Sequence, residues 1–157
     1  MDFESIYKTY SPKIFRVCLG YFNDIDKAKD ITQETFIVVF EYLGSIKNTE
    51  NIPGWIYRIA TNKCLRQLAN ERRNERVPDF DFSKIEYKET AIEEGSYQKL
   101  WQCINELAEL DRIIIGLYLE DVNQDKIAGI VGLSHANVRV RIHRIKEVLS
   151  IKMKKYE

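Results

Sequence analysis

The segment from Gln124 to Ile145, QDKIAGIVGLSHANVRVRIHRI, limits the fold more than any other stretch of the chain. Two helices crossing over a tight turn need a small residue at the crossing, a residue that tolerates left-handed φ at the turn, and apolar anchors on both sides. Ala128 is the small residue, Gly132 the turn residue, and Ile127, Val131, Leu133 and Val138 the anchors. Asn123 and Ser134 stand where each helix would be capped. The spacing therefore predicts a helix-turn-helix. In its second helix Val138, Ile142, Ile145 and Leu149 fall on one inward stripe. The outward side carries Ala136, Arg139, Val140, His143 and Arg144, with Ser134, His135, Asn137 and Arg141 at its start and flank. Small residues first and arginines beyond suit close approach to base edges and phosphates, so all nine are candidate DNA contacts.

Helical periodicity dominates elsewhere too, and no alternating run is long enough to argue for a sheet, so the expected fold class is all-α: two small helical domains joined by a linker, the second a helix-turn-helix domain. Phe3, Ile6, Tyr7 and Tyr10 share one helical face, and Ser11-Pro12 reads as a helix restart running on to about Phe22. Asn23-Asp24 opens the next helix, which ends near Leu43 with Gly44 expected in the left-handed conformation. A further helix is expected from near Pro53 to about Arg73, burying Ile52, Ile56, Ile59, Ala60, Cys64 and Leu68. Residues 77–96 lack a sustained period, open near a proline and close on Gly-Ser, and mark the boundary between domains 1–76 and 97–157. Past the boundary, helices are expected through about Leu107 and from about Asp111 to Leu119.

Charge separates the surfaces. The chain is neutral overall, with 24 basic and 24 acidic residues, which by itself argues against a nucleic-acid partner. Its distribution argues the other way: residues 58–76 hold six bases against two acids and residues 135–157 seven against two, while every other block is acidic. Arg58, Asn62, Arg66 and Arg73 share a face of the fourth helix, with Arg72 beside them. Trp55 and Tyr57 could stack on bases, although Trp55 reads more readily as core. On the third helix Asp30, Glu34, Ile37 and Glu41 form an acidic stripe with Gln33 beside it, expected to face outward.

Cys18, Cys64 and Cys103 are odd in number and widely spaced, which reads as buried free thiols. There is no Gly-rich phosphate loop, metal-ligand cluster or nucleophile beside a base, so neither enzymatic activity nor a cofactor is expected. No apolar run would cross a bilayer and the amino terminus opens with acids, so a cytoplasmic protein with no membrane insertion of its own is expected.

DITQETFIVVF, followed downstream by WIYRIATNKCLRQL, resembles the core-binding and promoter-melting segments of extracytoplasmic-function (ECF) sigma factors of the sigma-70 family. With the helix-turn-helix in second place, the resemblance covers nearly the whole chain outside the linker. It implies a region 2-like domain over 1–76 and a region 4-like domain over 97–157. The partners implied are core RNA polymerase, promoter DNA and an anti-sigma factor. Core polymerase would meet Asp30, Gln33, Glu34, Ile37 and Glu41. Arg58, Asn62, Arg66, Arg72 and Arg73 would capture the displaced minus-10 strand, with a flipped base near Asn62. The face from Ser134 to Arg144 would read the minus-35 element. The chain departs from the family pattern at Asp121, where a turn glycine is common, and at Leu117, Ile52, Val140 and His143. A stand-alone helix-turn-helix regulator with an amino-terminal sensor or dimerisation domain is the competing reading. It would need neither the acidic stripe nor the basic fourth helix. A local helix cap is the competing reading for Asn62.

Overall fold

The protein is described by a computed structural model, which places residues 2–46, 51–67 and 95–155. These residues form seven α-helices: α1 (Phe3–Phe22), α2 (Ile25–Tyr42), α3 (Ile52–Arg66), α4 (Gly95–Asn105), α5 (Glu109–Leu119), α6 (Gln124–Val131) and α7 (His135–Lys154), with one 3-10 turn at Leu43–Ser45. No strand occurs among the described residues, in keeping with the all-α expectation. The expected linker lies outside the described residues except for Gly95 and Ser96, which open α4. Arg72, Arg73 and Leu68 also lie outside them.

Helix α1 is a single helix, not two. Proline at position 12 removes one backbone donor and crowds the preceding turn, a cost of about 3 kcal/mol in an isolated helix. Burial offsets it: Ile6 and Tyr7 before the proline and Ile14, Phe15 and Cys18 after it all lie in the core, so one continuous face packs from end to end. Asp2 caps its start, accepting from the Ser5 N–H at 2.9 Å. Asn23 ends it at φ 53°, donating its N–H to the Leu19 carbonyl. Asp24 then caps α2 by accepting from the Lys27 N–H. At the far end the expected left-handed Gly44 does not occur; the 3-10 turn absorbs the change of direction, because Ile46 reaches the Leu43 carbonyl without positive φ.

In the carboxy-terminal half, Gly132 takes φ 80° and hands its N–H to the Ala128 carbonyl, while Ser134 caps α7 by accepting from the Asn137 N–H at 3.1 Å. Asn123 makes no side-chain cap for α6, contrary to expectation; its extended backbone alone sets the helix start. Asp121 adopts φ 65°, the conformation a glycine would take there at lower cost. The stripe Val138, Ile142, Ile145 and Leu149 is buried.

The two halves share one core. Buried apolar residues from Ile6 to Cys64 and from Trp101 to Leu149 form a single contiguous cluster, because α1 packs on α2 and α3 on one side and on α4 and α5 on the other. A Cβ at Gly116 would already touch Val17 at 3.5 Å, so α5 lies too close to α1 for a longer side chain.

The two glycines of the turn segment make a matched pair. Gly132→Ala should cost about 1 kcal/mol or more, because φ 80° is strained for any residue with a Cβ. Gly129→Ala, in α6 with open space around it, should gain up to about 1 kcal/mol by helix propensity. Urea denaturation of the two variants checks the opposite signs.

Candidate nucleic-acid interface

On α7 the side chains of His135, Ala136, Asn137, Arg139, Val140, His143 and Arg144 are all exposed, as is the capping Ser134. The buried stripe turns the rest of the helix to solvent over nearly three turns. Val140 is 45% exposed, too open for a core role and well placed for apolar contact in a groove. Arg141 is only half-exposed. Its Nε donates to Asn137 Oδ1 at 2.8 Å and its Nη1 to Asp111 Oδ1 at 3.0 Å, so it is held on the flank of the face. His143 lies 3.7 Å from Glu147, and both are so open that the pair contributes little.

On α3, Asn62 and Arg66 are exposed on the same face as Arg58. The helix runs unbroken through Arg66, and the Thr61 hydroxyl donates back to the Arg58 carbonyl, so Asn62 sits mid-helix and caps nothing. Tyr57 is 5% exposed, and burial raises its phenol pKa; it is a core residue, not a base-stacking platform. Trp55 is half-buried and packs on the core.

The acidic stripe of α2 is split. Gln33 and Glu41 are exposed and Asp30 and Ile37 half-buried, but Glu34 is buried at 7% and lies 3.8 Å from Lys63 of α3. The outward reading of Glu34 is corrected: spacing along one helix could not show that α3 covers that edge of α2.

The two halves meet through polar contacts that the sequence did not announce. Arg16 of α1 donates from Nε to Glu120 Oε2 at 2.7 Å and from Nη2 to Oε1 at 2.8 Å, a two-pronged pair. The Asn105 amide donates to the Tyr21 carbonyl at 2.9 Å, and the Arg112 guanidinium stands 4.5 Å from the centre of the Tyr21 ring. The Arg58 guanidinium donates to the Gly129 carbonyl of α6. Beside this contact an open cleft of about 570 Å³ runs between α1, α3 and the α5–α6 corner, with Lys13, Trp55, Asp121 and Lys126 in its walls. The one sequence signal for this docking was Gly116, a glycine inside the apolar run IIIGLYL, which marks a close helix approach.

All three cysteines are free and buried. Cys18 and Cys64 lie 3.7 Å apart, sulfur to sulfur, across the α1–α3 contact, and burial pushes the Cys64 thiol well above its usual pKa. Among the described residues no group of side chains could hold a metal ion. No helix of the described residues is long and apolar enough to cross a membrane.

A helix-turn-helix whose recognition face is open, carried on a helical bundle with a second basic face, defines a two-part DNA-binding protein. Residues 6–74 match the family model for Sigma-70 region 2, and residues 97–149 that for Sigma-70, region 4. Among curated proteins, the ECF RNA polymerase sigma factor SigW of Bacillus subtilis is 26% identical, over 94% of this chain and 86% of that one. The RNA polymerase sigma-H factor of Pseudomonas aeruginosa is 27% identical, over 94% and 83%. Among solved structures, the fold matches the sigma factor RpoE in its co-crystal structure with the anti-sigma factor NepR from Bartonella quintana. That match has a TM-score of 0.74 at 18% identity and covers 98% of this chain and 97% of that one. It also matches CnrH in complex with the cytosolic domain of CnrY, with a TM-score of 0.71 at 17% identity, over 99% and 89%.

The chain belongs to the sigma-70 family, among its ECF members. Its function is that of an RNA polymerase sigma factor. The competing reading as a stand-alone regulator falls away, since both sigma segments are present in order.

The Arg16–Glu120 pair is unequal: Glu120's side chain is 10% exposed and Arg16's 35%. Arg16→Met, which strands a nearly buried carboxylate, should therefore cost about 2 kcal/mol. Joint replacement of Arg16 and Glu120 by Met should recover most of that loss, as a double-mutant cycle in urea would show.

Proposed function

We propose that this sigma factor binds core polymerase through the exposed part of the α2 stripe, reads the minus-35 element with α7 and captures the displaced minus-10 strand on α3. It acts as a non-enzymatic initiation factor in the cytoplasm, where polymerase and promoter DNA meet. The observation that carries the reading is the pairing of two separate basic faces, both open: Arg139 and Arg144 on α7, and Asn62 and Arg66 on α3. The domain limits follow the same division, with 1–76 for polymerase and the minus-10 strand, 77–96 as the connection, and 97–157 for the minus-35 element. Arg72 and Arg73 are assigned to the strand by sequence. An anti-sigma factor is the further partner proposed, by likeness to the RpoE–NepR complex.

Working on a promoter requires the two halves to part. The promoter elements are named for positions roughly 25 base pairs apart, about 85 Å along B-form DNA. A compact chain of 157 residues has a radius of gyration of about 15 Å and spans roughly 40 Å. The docked arrangement cannot touch both elements at once, so the Arg16–Glu120, Asn105–Tyr21 and Arg58–Gly129 contacts break when the factor engages polymerase and promoter. Breaking the last also releases Arg58 for DNA.

Probes at two exposed sites, Lys8 on α1 and Leu119 on α5, should move apart when core polymerase is added to the full chain. An unchanged distance in an active complex would mean that the factor works closed.

Asn62 is assigned to promoter opening. An amide carries no charge for phosphates and adds little to duplex affinity, but it can pair with a base edge once that base has left the stack. Asn62→Ala should leave closed-promoter binding nearly intact and lower permanganate reactivity of the minus-10 thymines, with a pre-melted template restoring much of the transcription. If opening proceeds at the wild-type level, Asn62 does not hold a base.

A further inference from the structure

At the amino-terminal end of α7 three side chains form a chain of fixed hydrogen bonds. Asp111, in the first turn of α5, accepts from Arg141 Nη1 at 3.0 Å, and Arg141 in turn donates from Nε to Asn137 Oδ1 at 2.8 Å. An Arg N–H can only donate, so the atom of the Asn137 amide facing it must be the oxygen. The amide orientation is thereby determined by chemistry. Its Nδ2 makes no hydrogen bond among the described residues and is left to point away from Arg141. The Asn137 backbone is held as well, because its N–H donates to the Ser134 hydroxyl at the helix cap. Together with Ala136, Val140 and Arg144 the three residues line an open hollow of about 500 Å³ on the outward side of α7.

This arrangement alters what Asn137 can read. A free asparagine amide pairs with adenine by using both ends, accepting from N6 and donating to N7. Here Arg141 already fills one of the two lone pairs of the accepting end, and its positive guanidinium beside that oxygen disfavours the approach of an adenine N6 amine. What is left most open to DNA is the Asn137 NH2 group, with the unused Nη2 of Arg141 beside it, an edge dominated by donors. Guanine offers two major-groove acceptors, N7 and O6, whereas adenine and cytosine each present an amine that would meet these donors head-on.

We propose that Asp111 is a positioning residue for promoter reading: acting through Arg141, it locks the Asn137 amide so that this position selects guanine over adenine. The proposal rests on α7 being the minus-35 reader and deepens that reading. Asp111 itself does not touch the base. It makes Arg141 a brace, and it lies on a different helix from the one that enters the groove, so sequence preference is set partly by how α5 packs against α7.

The test is selection from a randomised duplex library by the full chain bound to core polymerase, followed by sequencing of the bound fraction. The wild type should enrich guanine at one position, and Asn137→Ala should erase that enrichment there. Asp111→Ala should lower the guanine-to-adenine ratio at the same position by about fivefold or more, the lower end of what one good base contact discriminates. Asp111→Glu, which keeps a carboxylate for Arg141, should recover part of it, and thermal melting of each variant separates misfolding from lost reading. A uniform change across all sequences with Asp111→Ala would show that Asp111 acts only as a charge near phosphates, and would overturn the proposal. So would wild-type enrichment of adenine at the Asn137-dependent position. If Asn137→Ala, Arg139→Ala and Arg144→Ala all leave the enrichment pattern unchanged, α7 does not read DNA and both readings fall; loss of pattern with those three but not with Asp111→Ala sinks the brace alone.

Discussion

Helix α1 is wedged between the two halves, and the rest of the structure depends on that double burial. One face, through Phe3, Tyr7 and Cys18, meets α2 and α3; the other, through Val17, Gly20 and Tyr21, receives α4 and α5. A helix buried on two sides must be apolar around most of its circumference, and this keeps α1 whole across Pro12. The close approach at Gly116 lets Arg16 reach Glu120, and the same docking brings Arg58 of α3 to the Gly129 carbonyl of α6. Removing α1's second face would leave two small bundles, each with a modest core of its own.

That docking joins the protein's mechanics to its electrostatics. The rim of the contact between the halves is polar, with one two-pronged ion pair, an amide and a guanidinium each hydrogen-bonded to a carbonyl, and one guanidinium over a ring. These polar contacts can exchange for water at small net cost, but parting the halves would also bring buried apolar surface of Val17, Tyr21 and Trp101 into water, which binding to a partner has to offset. The outward face of α7 is open in the docked form, whereas Arg58 is engaged, so the two surfaces proposed to meet DNA differ in how accessible they are.

The site residues divide along the same line. On α7, exposure agrees with the helical wheel because one strongly apolar stripe, Val138 to Leu149, leaves only one way for the helix to lie. On α2 the wheel misleads at Glu34, which has two neighbours to satisfy: α1 claims the apolar side and α3 overlaps the edge of the acidic one. Tyr57 is a similar case, chemically suited to stack on a base but buried when α3 packs. Amphipathic spacing reports faithfully where the neighbours of a helix all meet its apolar stripe, as on α7, and poorly where one neighbour overlaps the polar edge, as on α2.

Periodicity, the Gly132 turn and the Ser134 cap were enough to define an all-α chain with a helix-turn-helix near its end, because local backbone preference and apolar spacing act over a few residues and are written there. The family was legible for the same reason, since its motifs are short faces of single helices. Pairing between distant positions was not: Arg16 with Glu120, Arg112 with Tyr21, and Asp111 with Arg141 each join residues on separate helices, and nothing in the local sequence of either partner names the other. Pro12 and Gly44 show the same limit from the other side, as local rules predicted a break and a left-handed cap that packing overrode. What tertiary structure alone decided was which helix edges are covered, how the halves dock, and which way one asparagine amide faces, because each depends on atoms that only the folded chain brings within bonding distance.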